Sequence, residues 1–135
     1  MSLAETAAKR PRILCIDDAQ VALQVRKLVF QQAGYDVITA LSGEQALEIF
    51  RTQPVDIVIA DHFLSDKTGT EIAREMKELR AEVPILIVSA AAEKPVGLEF
   101  VDGFFPKGET PRTLLETIAQ LLQSSRSCNA IRVGE

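Results

Sequence analysis

The sequence predicts an α/β fold built on a parallel sheet. Short β-branched apolar runs recur along it, and amphipathic segments at helical spacing lie between them. The runs themselves alternate little between apolar and polar, as strands covered on both faces do. With 135 residues, 47% of them hydrophobic, the chain is long enough for one domain with its own core.

The first run, "RILCI", leads into Asp17 and Asp18. The segment behind it has Val21, Val25, Leu28 and Val29 as its apolar stripe and stops at Gly34, a residue suited to a left-handed helix end. The second run, "DVITA", precedes "SGEQALEIF", in which Ser42 and Gln45 stand at capping-box spacing. The third, "VDIVIA", ends at Asp61. "TGTEIAREMKEL" follows, with Thr68 and Glu71 at the same spacing and Ile72, Met76 and Leu79 as its core face. "PILIVSA" carries Ser89 at its end, and a weaker run, "DGFFP", precedes Lys107. The last helix opens at Thr110 with Pro111 in its first turn, and its stripe is Leu114, Ile118, Leu121 and Leu122. Five such strands suit a doubly wound, flavodoxin-like (βα)5 sheet in the order 2-1-3-4-5. The expected division is an N-terminal arm over 1–11, the domain over 12–123, and a polar, aperiodic tail or linker stub over 124–135.

The net charge is −4 and there is no basic run, so direct contact with nucleic acid is not expected. No run approaches membrane-spanning length, and no membrane insertion is expected. Cys15 falls in a strand and Cys128 in the tail. A disulfide between them is not expected, which fits a reducing, cytoplasmic compartment.

In such sheets ligands bind beyond the carboxyl ends of the strands, where strand order reverses, here between strands one and three. Asp17, Asp18 and Asp61 converge on that crevice, and Ser89 and Lys107 end the neighbouring strands. Two carboxylates about 4 Å apart repel by roughly 4 kcal/mol at an effective dielectric near 20. A hard divalent cation such as Mg²⁺ relieves this with few protein oxygens, keeping water and phosphate oxygens as its other ligands. An ionised aspartate can attack phosphorus, and Mg²⁺, Ser89 and Lys107 would supply position and charge. Singly, each residue has a plainer reading: Asp18 as a helix cap, Ser89 bonded to backbone, Lys107 as a surface lysine, and His62 as solvated or packed in a loop. Their joint placement at four strand ends favours phosphoryl chemistry.

Four segments, "CIDDA", "DIVIADHFLSDKTG", "ILIVSA" and "GFFPK", make the chain from about Arg12 to Gln123 similar to the receiver domains (CheY-like) of response regulators in bacterial two-component signalling. The resemblance implies that Asp61 is the phosphoacceptor. It implies that Mg²⁺, or Mn²⁺, is held by Asp17, Asp18, Asp61 and the backbone carbonyl of Phe63. Ser89 would hydrogen-bond the phosphoryl group, Lys107 would pair with it, and Phe104 would be the switch aromatic. The donor would be a histidine kinase or a histidine phosphotransfer protein, and the output a changed affinity for a downstream protein. The only chemistry implied is the chain's own phosphoryl transfer and dephosphorylation. Gly69 stands at the expected offset after Asp61.

The chain departs from this pattern in four places. Gly108 follows Lys107 where many receivers have proline, so a trans bond is expected there; Pro106 instead precedes the lysine and requires an edge strand. Ser65 and Asp66 replace a loop proline, which predicts a more mobile loop. Lys107 follows Ser89 by only eighteen residues, with Pro95 and Gly97 between them, so the fourth helix should be shortened, irregular or absent. Phe63 and Ala91 are apolar and cannot orient an attacking water, which predicts slow hydrolysis of the phosphoryl group. Two other functions compete. One is a docking adaptor that keeps the fold without phosphorylation. The other is an aspartate-nucleophile phosphatase, which needs an acid two residues after its nucleophile; here Phe63 follows Asp61, and Ala19 follows Asp17, at that spacing.

Overall fold

The computed structural model describes residues 10–89, 101–107 and 110–134, with side chains as far as Ser124. Its elements are β1 (Arg12–Ile16), α1 (Gln20–Gln32), β2 (Asp36–Ala40), α2 (Gly43–Thr52), β3 (Ile57–Asp61), α3 (Gly69–Leu79), β4 (Ile85–Ser89), β5 (Gly103–Pro106) and α4 (Pro111–Gly134). The strands form one parallel sheet in the order β2-β1-β3-β4-β5, as the sequence predicts. Pro106 therefore sits on an edge strand, where its missing N–H costs no ladder bond.

Alternate residues of the strands feed two cores. Leu14, Ile16, Val58, Ala60, Ile85 and Ile87 pack with Phe50, Ile72 and Met76 from α2 and α3. Ile13, Cys15, Ile57, Ile59, Leu86 and Val88 pack on the other face with Leu23, Phe30, Leu114 and Ile118 from α1 and α4. Both faces being covered explains the unbroken apolar runs.

Local chemistry sets the helix ends. Thr68 and Glu71 form a complete capping box at α3. Ser42 caps α2 through the Gln45 N–H, but Gln45 Oε1 accepts from the Leu41 N–H at 2.8 Å, one residue short of a full box. Thr110 Oγ1 accepts from the Thr113 N–H ahead of α4. Gly34 closes α1 at φ 102°, a conformation that a side chain would strain.

Two expectations need correcting. The buried residues of α1 are Leu23 and Phe30, whereas Val21, Val25 and Leu28 are 79%, 56% and 58% exposed. The helix is rotated so that Leu23, not Val21, meets the sheet. Leu79, placed on the core face of α3, is exposed at that helix's last turn. The backbone of α4 is helical to Gly134, into the segment 124–135 read as a tail or linker stub. No proline or glycine interrupts the sequence between Pro111 and Gly134, so nothing local stops the helix. The expected fourth helix, with Pro95 and Gly97, and the positions of Ala91 and Gly108 lie outside the described residues.

The loop after β3 is tied down rather than loose. The Asp66 carboxylate accepts from the Gly43 N–H at 2.9 Å and from the Glu44 N–H at 2.9 Å, capping α2 from a distance in sequence. The Gly43 N–H bond is the main cause that draws the Asp66 pKa down. A depressed carboxylate pKa stabilises the fold above the unfolded-state pKa and loses that contribution as pH falls through the folded-state value. Asp66→Ala is expected to cost about 1 kcal/mol or less at neutral pH, because the carboxylate is exposed and screened. In urea melts the gap to wild type should close in acid; a gap that persists below the folded-state pKa would remove the carboxylate from the account.

Candidate functional site

The register of β1 against β3 pairs Ile16 with Ala60, so the residues that follow, Asp17 and Asp61, emerge side by side. With Asp18 they bring three carboxylate oxygens within 4.8 Å of one another. Asp17 is fully buried, Asp61 is 6% exposed, and Asp18 is exposed at the mouth. The two oxygens of Asp17 do different work. Oδ1 accepts from the Ala19 N–H at 2.9 Å. Oδ2 faces Arg26 Nη1 at 3.3 Å and Lys107 Nζ at 3.9 Å, yet has no hydrogen-bond partner. Lys107 Nζ donates to Asp61 Oδ2 at 3.2 Å.

Burial is the largest influence on Asp61 and raises its pKa; Lys107 pulls it back, and Asp17 pushes it up again. Asp18 does not cap α1: the N-cap is Ala19, with no side-chain bond. Among the described residues no hydrogen bond or ion pair engages Asp18, which leaves its carboxylate available. A buried oxygen without a hydrogen bond, two neighbouring carboxylates and an all-oxygen donor set fit a hard divalent cation.

The other predicted residues surround this cluster. Ser89 is fully buried at the end of β4, and its carbonyl accepts from the Lys107 N–H at 2.9 Å, which ties the ends of β4 and β5 together. Phe104 is half-buried against the core beneath α2 and α3, while Phe105 turns to the opposite face. Phe63 lies in the loop beyond Asp61 with its side chain 59% exposed and pairs across the loop with Thr68. His62 is buried, not solvated. Its ring meets that of Phe63 edge-on at 4.6 Å, and burial lowers its pKa. Burial pushes the Cys15 thiol up to about 12, so it is inert as a nucleophile.

The structure adds a role for Gly69, which the sequence marks only by its offset from Asp61, and a residue the sequence reading misses, Arg26. Gly69 lets the start of α3 press against the end of β3: a Cβ there would lie 2.8 Å from the Asp61 carbonyl oxygen. Arg26 enters the acid pocket from α1. The signal was present, since Arg26 stands three residues after Leu23 and four before Phe30, in phase with the buried face.

The model of the response regulator receiver domain family matches residues 13–123. The chain belongs to that family. As a receiver it resembles the aerobic respiration control protein ArcA of Escherichia coli K12, 33% identical over 129 residues, which are 93% of this chain and 53% of ArcA. It also resembles the alkaline phosphatase synthesis transcriptional regulatory protein PhoP of Bacillus subtilis, 30% identical over 118 residues, 84% of this chain and 49% of PhoP. The chain thus spans about half the length of these relatives. Because relatives carry transcriptional-regulator names, the expectation of no contact with nucleic acid is not supported for a whole protein of this kind.

Solved structures agree on the fold. A CheY-like receiver domain protein of Methanospirillum hungatei superposes with a TM-score of 0.83 at 26% identity, covering 88% of this chain and 98% of that one. The response regulator TrrA of Thermotoga maritima, in complex with Mg²⁺-BeF, gives 0.78 at 27% identity, covering 82% of this chain and 98% of TrrA. The receiver therefore presents the acidic pocket of a two-component response regulator at the carboxyl edge of its sheet. No helix among the described residues is long and apolar enough to cross a membrane.

Proposed function

We propose that this receiver takes a phosphoryl group from a phosphohistidine donor onto Asp61, and that the resulting aspartyl phosphate changes its affinity for a downstream protein. One observation carries the reading. Asp17, Asp18 and Asp61 share a space of 4.8 Å at the sheet edge, with Lys107 bonded to Asp61.

An Asp61 carboxylate oxygen attacks phosphorus and forms an O–P bond. The P–N bond to the donor imidazole breaks, and the leaving nitrogen keeps the electron pair and takes up a proton. Asp17, Asp18, Asp61 and the Phe63 carbonyl would hold Mg²⁺ or Mn²⁺, which supplies positive charge to the transferring oxygens. Lys107, already on Asp61, adds a second positive charge at the same place. Ser89 Oγ donates to the new phosphoryl oxygens, and the space that its movement frees admits the half-buried Phe104 ring. The switch is then a shift between two states, biased by the contacts that Ser89 and Lys107 make only in one. The donor is a histidine kinase or histidine phosphotransfer protein in the cytoplasm, and the chain catalyses nothing beyond its own phosphoryl transfer and dephosphorylation.

Intact-mass analysis after incubation with acetyl phosphate and Mg²⁺ tests this. Wild type should gain one phosphoryl mass, and an unmodified wild type would favour the docking adaptor. The apolar Phe63 side chain cannot orient an attacking water. The phosphoryl group is therefore expected to persist for minutes or longer in Mg²⁺ without a phosphatase, and a half-life of seconds would refute this.

A further inference from the structure

Arg26 is an unusual occupant of its position. It shares the inward face of α1 with Leu23 and Phe30, both buried in the core. Its side chain is 15% exposed and reaches an Asp17 carboxylate that is 1% exposed. A guanidinium so placed loses much of its hydration, and only a matching anion offsets that loss. Arg26 Nη1 and Asp17 Oδ2 face each other at 3.3 Å, but neither has a hydrogen-bond partner. They are held by charge, slightly beyond the distance of a good charge-assisted bond. Three carboxylates thus face two fixed cations, Arg26 from α1 and Lys107 from the end of β5.

We propose that Arg26 is a resident counter-cation of the acid pocket: it occupies Asp17 Oδ2 when no metal does, and it sets the affinity for the divalent cation by competing for that oxygen. This rests on the Mg²⁺ reading given above. With both cations in place the pocket is left with one excess negative charge, so a divalent ion enters against the charge of Arg26. With Arg26 neutralised, the same ion meets a pocket whose excess it balances. Arg26 is a positioning residue, and the sign of its effect separates this role from a structural one. Loss of a scaffold contact loosens the pocket and weakens metal binding, whereas loss of a competitor strengthens it.

Mg²⁺ alone, titrated calorimetrically into the full chain without any phosphodonor, tests the proposal in Arg26→Met, Arg26→Gln and Arg26→Lys. The two neutral variants are expected to bind Mg²⁺ about tenfold more tightly than wild type, and Arg26→Lys to stay near wild type. The rise in melting temperature on adding Mg²⁺ should also be larger in the neutral variants. Equal or weaker binding in the neutral variants overturns the role of Arg26 and leaves the metal site standing. Neutral variants that stay unfolded at every Mg²⁺ concentration assign Arg26 to the fold alone and overturn it too. Absence of binding in wild type and in every folded variant overturns the metal reading, and the inference with it.

Discussion

Asp61→Asn is expected to abolish the phosphoryl adduct and, in the same protein, to raise the stability of the metal-free fold. The amide keeps the shape of the carboxylate but is no nucleophile toward phosphorus, so the loss of adduct should be complete. The stability gain follows from the pocket's electrostatics. Asp61 is nearly buried beside Asp17, and its raised pKa records that ionisation there is unfavourable, chiefly because of burial. Removing the charge relieves that cost and the repulsion from Asp17, but forfeits the attraction of Lys107 at 3.2 Å. The balance is expected to be a gain of about 1–2 kcal/mol. A higher urea midpoint in EDTA with an unchanged slope would show it. Saturating Mg²⁺ should narrow or reverse the difference, because the ion stabilises the protein that binds it better. A lower midpoint in EDTA would mean that the Lys107 pair outweighs the crowding of the acids.

Gly69→Ala is expected to destabilise the fold by about 2 kcal/mol and to slow phosphorylation. Two effects oppose each other here. Gly69 is the first residue of α3, where alanine's helix propensity would by itself stabilise by up to about 1 kcal/mol. A Cβ at this position, however, would lie 2.8 Å from the Asp61 carbonyl oxygen, 2.9 Å from Ile87 Cδ1 and 3.1 Å from the His62 Cα. Two of those atoms are backbone, which cannot swing aside as the end of a side chain can. The Gly69 N–H is also bonded to the His62 carbonyl at 2.7 Å, so the start of α3 cannot back away cheaply. Overpacking should win, and the backbone that moves carries Asp61, the proposed phosphoacceptor. Denaturant melts together with acetyl phosphate kinetics would test both parts; an alanine variant as stable as wild type would show that the contact yields.

Much of this molecule is legible in the chain. The strands are recognisable because residues buried on both faces must be apolar without interruption, and "VDIVIA" and "PILIVSA" admit little else. Thr68 with Glu71, Gly34, and Thr110 with Pro111 mark helix ends through bonds that reach only a few residues. The phase of α1 was harder. Val21, Val25 and Leu28 form a helical stripe as convincing as Leu23 and Phe30, and only the sheet decides which stripe is covered. Nothing local in the sequence marks Asp66 as a cap, because its partners at Gly43 and Glu44 lie on a different helix.

By itself the sequence determined the α/β alternation and the acids, hydroxyl and lysine at the strand ends, which follow from local periodicity; the strand order was the one that five alternating strands suit, and the pairing of the strands bears it out. Only the tertiary structure decided that Asp17 Oδ2 lies between Arg26 and Lys107, that a side chain at Gly69 would press on the Asp61 carbonyl and that Asp66 caps a distant helix. These depend on distances of a few ångströms between residues far apart in the chain. Coulomb and contact energies vary steeply over such distances, and a one-dimensional pattern carries no record of them.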